Sequence, residues 1–166
     1  MKEKIKKLTK LDILGIILTV VFLPIIIINM TLVIKGMINP DEVPMIFNRA
    51  PLIVISDSMT IDKKAGTGEF NKNDLIIIKK VDPTTLEKGD VVTYKDRDGD
   101  IITHRIIDLI TDKVDGNEVP AFKTKGDYSP GYDFDPVRHE QIVGEYLFRL
   151  PKLGGVAMFL LGGADR

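Results

Sequence analysis

The stretch from Ile13 to Ile34 constrains this chain more than any other, because it carries no charge and few polar side chains. Its roughly 22 residues, wound as a helix at 1.5 Å each, reach about 33 Å, enough for a bilayer core of about 30 Å. Pro24, Asn29 and Thr31 interrupt the apolar run. A membrane helix tolerates such residues, with Pro24 as a point of kinking. A cleaved signal peptide would have a shorter apolar region ending in small residues. This run leaves through Val33-Ile34-Lys35 instead, which predicts an uncleaved anchor over residues 13–34.

Charge sets the expected orientation. Lys2, Lys4, Lys6, Lys7 and Lys10 precede the span, and Lys35 follows it ahead of Asp41 and Glu42. The positive-inside rule then makes residues 1–12 a cytoplasmic basic tail and puts everything after residue 35 outside a cell membrane crossed once. The chain holds 23 Lys and Arg against 24 Asp and Glu. With five of those lysines ahead of the span, the outer part is acidic, which argues against a nucleic-acid partner. There is no cysteine, so disulfides and thiol chemistry are excluded.

The outer part is long enough to bury roughly two-thirds of its unfolded surface in one domain. A juxtamembrane link over 35–49 contains Asn39-Pro40-Asp41-Glu42-Val43-Pro44. Beyond it, Leu52–Ile55, Leu75–Val81, Val91–Lys95, Ile101–Ile110, Ala121–Lys125 and Ile142–Leu150 are rich in β-branched and aromatic residues and read as strands. Asp98-Gly99 marks a hairpin between two of them. Residues 65–72 and 128–135 read as loops. The domain is expected over 50–150. The apolar tail over 151–166 has three readings: an amphipathic end packed on the domain, a surface-dipping segment, or part of a second span. Val156 to Leu161 is far too short to cross a bilayer alone.

The candidate chemistry begins at Ser56-Asp57-Ser58-Met59, where an apolar run ends. Serine attack on an amide needs a base for the hydroxyl proton and a third group to orient that base. The chain has two histidines. His104 sits in a strand-like run between Thr103 and Arg105, whereas His139 lies in the polar Arg138-His139-Glu140-Gln141 and reads as a surface residue. Each also has a structural reading: Ser58 as a turn cap, His104 as a half-buried strand residue, and Asp127 and Asp133 as turn-formers beside Gly126, Pro130 and Gly131.

Taken in order, Ser-X-Ser-Met, Gly-Asp-Val-Val-Thr-Tyr, Ile-Thr-His-Arg-Ile and Phe-Lys-Thr-Lys-Gly-Asp, with a further aspartate six residues on, resemble the type I signal peptidases. The histidine makes the chain look like their endoplasmic-reticulum-type, Ser-His-Asp branch, found in archaea, eukaryotic microsomes and some Gram-positive bacteria. The resemblance covers roughly residues 50–150 and the preceding anchor. It implies a mainly β fold, a curled antiparallel domain on an N-terminal transmembrane helix. It also implies a membrane-bound serine endopeptidase that removes signal peptides from secretory pre-proteins after small residues one and three positions before the cut. By the same resemblance Ser58 matches the nucleophile and His104 the general base. Asp133 matches the orienting acid and Asp127 a supporting carboxylate, with the reverse order also open. Ser56 and the Ser58 backbone N–H match the oxyanion site. No cofactor, metal or nucleic acid is implied, and translocon or other partner subunits stay unspecified.

Four features depart from the family pattern, one being a 65–72 segment longer than is common. Asp57 stands where glycine is usual, Thr60-Ile61 replaces an acidic residue and proline, and Asn73-Asp74 replaces Gly-Asp. Two other functions remain open on the sequence. One is a Ser–Lys peptidase, with Lys79, Lys80 or Lys125 as base. The other is a catalytically idle relative acting as a chaperone or scaffold in surface-fibre assembly.

Overall fold

A computed structural model describes residues 9–39, 42–62 and 66–160. Lys2, Lys4, Lys6, Lys7, Asp41 and the end of the tail from Leu161 lie outside those residues. The chain divides into two compact units, 1–47 and 48–166.

The first unit is built on α1, Lys10–Ile38. Thr9 caps it: the Asp12 N–H donates to the Thr9 hydroxyl at 3.2 Å, and the Asp12 carboxylate accepts from the Thr9 N–H at 2.8 Å. This reciprocal pair satisfies donors that a helix start leaves open. Thr19, Asn29 and Thr31 turn their polar atoms back onto carbonyls one turn earlier. That is how such residues hide their polarity in an apolar helix. The expected anchor of 13–34 lies within α1, which extends three residues earlier and four later and so takes in part of the expected link. Among the described residues this is the helix long and apolar enough to cross a membrane.

The second unit is mainly β. Seven strands form one curled sheet: β1 (Arg49–Ile53), β2 (Leu75–Lys79), β3 (Val91–Lys95), β4 (Ile101–Val114), β5 (Asn117–Lys125), β6 (Val137–Arg138) and β7 (Ile142–Leu150). Their order across the sheet is β1-β2-β7-β3-β4-β5-β6, and every pairing is antiparallel. Leu86, Val92, Tyr94, Ile106, Phe122 and Val137 pack as a buried cluster on one face. Each fully buried side chain of this kind stabilises by about 1.5–3 kcal/mol. Arg49, in β1, is taken from the expected link.

Two features exceed the sequence expectation. β4 and β5 run on to meet at Asp115-Gly116, a two-residue hairpin with φ of 51° and 82° at its centre. Positive φ at both positions is what a twist-matched turn demands, and Asp-Gly supplies it. The tail forms α2, Leu153–Leu160, which packs against β1 and β2.

Candidate active site

β1 runs out at Ile53, and the chain is then tied to the start of β2. The Val54 N–H donates to the Asp74 carbonyl at 3.0 Å, and the Asn73 N–H donates to the Val54 carbonyl at 2.8 Å. Asn73 holds φ at 70°, the left-handed region that glycine and asparagine visit most easily. The replacement of glycine at this position is therefore conformationally conservative. Asp57 keeps φ out of that region, so the turn it opens has no need of glycine.

The turn carrying Ser58 closes with the Thr60 N–H on the Asp57 carbonyl at 3.1 Å. Met59 is the turn's anchor, only 1% exposed. Its carbonyl accepts from the Glu69 and Phe70 N–H groups. Its sulfur lies 3.3 Å from the Asp127 nitrogen. Ser58 is half-buried, and its hydroxyl oxygen stands 3.2 Å from that of the exposed Ser56.

The second component comes from β4. Register sets His104 opposite Val92, with Tyr94 two residues further along β3 on the same face. The His104 side chain is buried, and its Nδ1 lies 2.7 Å from Asp133 Oδ2. Asp133 sits in the loop after β5, fixed by its own N–H donating to the Thr124 carbonyl at 3.0 Å. Tyr94 donates its hydroxyl to the same Oδ2 at 3.0 Å. Burial opposes charge on Asp133, but the bond to His104, helped by Thr124 and Tyr94, outweighs it and holds the carboxyl below the usual range. Asp133 is thus an anion at neutral pH. Burial pushes the Tyr94 hydroxyl up, so it remains a donor.

Asp127 has a different partner. Arg105 grips it with two hydrogen bonds, Nε at 2.8 Å and Nη2 at 2.7 Å, and also reaches Glu69 and the Gly89 carbonyl. Asp127 and then Glu69 raise the Arg105 guanidinium above its ordinary value, leaving it permanently charged. The two aspartates singled out in the sequence therefore occupy separate places, one on the imidazole and one on a guanidinium.

Gly126 joins the two halves. A Cβ built on it would lie 2.7 Å from the Ser58 carbonyl oxygen and 3.0 Å from His104 Nε2. Those two atoms are thus separated by no more than the sum of the two lengths. The Tyr128 N–H donates to the Ser58 carbonyl at 2.8 Å, pinning the serine turn to the segment after β5. Nε2 of the imidazole, the nitrogen turned away from Asp133, faces this junction.

The lysines weighed as bases have the following surroundings. Lys79 pairs with Glu145 at 2.9 Å, Lys80 is exposed, and Lys125 lies 5.8 Å from the Tyr132 ring centre. His139 stacks on Phe122 at 5.0 Å. Among the described residues no cluster of His, Cys, Asp and Glu is arranged to hold a metal ion. Tyr94, Arg105 and Gly126 lie within or beside the sequence motifs, but the sequence assigns them no contacts. The signal for Tyr94 lay in the β3–β4 register, which spacing alone does not reveal.

The imidazole of His104 thus has a carboxylate on one nitrogen and the turn carrying the half-buried Ser58 beyond the other, which are the residue types that serine-hydrolase chemistry requires. Among proteins of known identity, the chain is similar to signal peptidase I W of Bacillus subtilis (strain 168), with 34% identity over 128 residues. The match spans 76% of this chain and 62% of the relative, so the chain covers less than two-thirds of that protein's length. No protein-family model matches the chain.

Proposed function

We propose that this protein is a type I signal peptidase of the Ser-His-Asp branch: a membrane-anchored serine endopeptidase that cleaves N-terminal signal peptides from secretory pre-proteins. The observation that carries the reading is the 2.7 Å contact between His104 Nδ1 and Asp133 Oδ2, with Nε2 turned toward the Ser58 turn. An anionic Asp133 selects the tautomer with the proton on Nδ1, leaving the Nε2 lone pair to accept the serine proton. The similarity to a signal peptidase I supports the substrate class.

In this mechanism Ser58 Oγ attacks the scissile carbonyl while His104 Nε2 takes the hydroxyl proton. In this reading the Ser58 hydroxyl leaves that of Ser56 for Nε2 when substrate binds, since such bonds commonly tighten only in its presence. Asp133 stabilises the imidazolium that forms. The oxyanion is received by the Ser58 N–H and the Ser56 hydroxyl, where losing one donor typically costs about 3–4 kcal/mol. Collapse of the tetrahedral intermediate breaks the C–N bond, and His104 returns the proton to the leaving amine. Water, deprotonated by the same nitrogen, then hydrolyses the acyl-enzyme and restores Ser58.

The substrate segment before the cut binds extended, adding main-chain hydrogen bonds to an exposed strand edge. Shallow pockets accept small residues one and three positions before the bond. α1 spans the cell membrane with residues 1–12 in the cytoplasm, so that enzyme and substrate share one plane, which raises their effective concentration. The test is to incubate full-length protein with a panel of signal-peptide substrates and read the cut sites by mass spectrometry. Cleavage after a small residue, lost in Ser58→Ala, is expected. Equal cleavage by Ser58→Ala, or none by the unaltered protein, contradicts the reading.

A further inference from the structure

We infer that Tyr94 is a positioning residue that sets the acid limit of the site, by sharing the carboxylate oxygen through which Asp133 holds His104. The inference rests on the proposed Ser58–His104–Asp133 mechanism but concerns a hydroxyl that this mechanism does not use.

Two donors converge on one acceptor, and a third stands behind one of them. Asp133 Oδ2 faces His104 Nδ1 at 2.7 Å and accepts from the Tyr94 hydroxyl at 3.0 Å. The Thr124 hydroxyl in turn donates to the Tyr94 oxygen at 3.4 Å. This is a relay of Thr124 to Tyr94 to Asp133, and each donor polarises the next. Tyr94 is 3% exposed, so water is kept from substituting for its hydroxyl. Its ring meets that of His104 edge-on, with centroids 6.5 Å apart, which fixes both planes. A phenylalanine would pack identically here, so packing alone does not call for the hydroxyl.

The consequence follows from charge. A carboxylate oxygen that accepts from Tyr94 is a weaker partner for an imidazolium than one that accepts from His104 alone. Tyr94 therefore keeps His104 neutral, and competent as a base, to lower pH. The charged or titratable groups around this cluster are few. Asp133 and His104 belong to it, Asp96 in the turn after β3 acts on Tyr94, and Lys123 and Lys125 lie over the Tyr132 ring in the loop that bears Asp133. Arg105 points away, toward Asp127 and Glu69.

The test compares full-length protein with Tyr94→Phe, Thr124→Val and Ser58→Ala in lipid nanodiscs, following the His104 ring protons by NMR against pH and, in parallel, kcat/KM for a signal-peptide substrate. In Tyr94→Phe the His104 titration midpoint and the acidic limb of kcat/KM are expected to move upward together, by roughly 0.3–1 pH unit for one neutral hydrogen bond. The alkaline plateau should fall by less than about tenfold. Thr124→Val should move both in the same direction by less, and it stands in if Tyr94→Phe fails to fold. A midpoint that stays put or moves downward overturns the inference. Absent cleavage in the unaltered protein, or cleavage retained by Ser58→Ala, defeats the proposed function instead, while the His104 titration still decides the role of Tyr94.

Discussion

Two aspartates six residues apart differ in what they hold, and their substitutions should separate accordingly. Asp133→Asn presents an amide to the imidazole, favours the wrong tautomer and is expected to lower kcat by about 10³–10⁴ with little change in thermal stability. Asp127→Asn leaves Arg105 without its two-pronged partner, so stability should fall by about 1–3 kcal/mol, the partial exposure of the guanidinium limiting the cost. Thermal melts and single-turnover kinetics on both variants distinguish these outcomes. Equal behaviour of the two would mean that the division of roles is wrong. Gly126→Ala belongs at the same scale: its Cβ would press on the Ser58 carbonyl and His104 Nε2. Both stability, by about 1–3 kcal/mol, and cleavage are expected to drop. Glycine is required here by close approach, since its φ lies outside the left-handed region.

At the scale of elements, the strands announced themselves through β-branched runs, and Val91–Lys95 and Ile142–Leu150 match the observed β3 and β7 end to end. What stayed hidden was long-range in origin. β4 continues past Ile110 through Asp112 to Val114 because β5 pairs along its length, beyond a bulge between Ile106 and Asp108. No local apolar signal marks that stretch, although Asp115-Gly116 carries the same turn chemistry as Asp98-Gly99. β6 is two residues long and owes its existence to pairing with Ala121 and Phe122. Ser58 and His104 were legible as residue types in ordered motifs. The Arg105–Asp127 grip and the Tyr94 hydroxyl were not, because each depends on which residues the register sets side by side. The hairpin offers its own check. Gly116→Ala places a Cβ at φ of 82° and should destabilise the domain by about 1 kcal/mol, read in a urea titration, while kcat per folded molecule is unchanged.

For the whole domain, Asp74 ties the sheet to the tail. Its carboxylate accepts from the Asn71 N–H, the Lys152 N–H and Arg149 at 2.8–2.9 Å. Burial works against its charge, yet these donors hold it below the usual carboxylate range. A carboxyl with a depressed folded-state pKa contributes stability that is complete above the unfolded value and is lost as pH falls through the folded one. Acid should therefore loosen β2, β7 and the Lys152 turn. In Asp74→Asn the slope of stability against pH below about 4 should flatten, while stability at pH 7 falls. Denaturant melts at pH 3 and pH 7 measure both, and an unchanged acid slope would place the sensitivity elsewhere.

The central claim is that Ser58 Oγ becomes nucleophilic because His104, held by Asp133, accepts its proton. The most direct measurement is to expose the full-length protein to a serine-directed acylating probe and map the adduct by tandem mass spectrometry. An ester on Ser58 that forms in the unaltered protein and is lost in His104→Ala is the predicted result. No adduct at Ser58, or one that forms at the same rate without the imidazole, would contradict it.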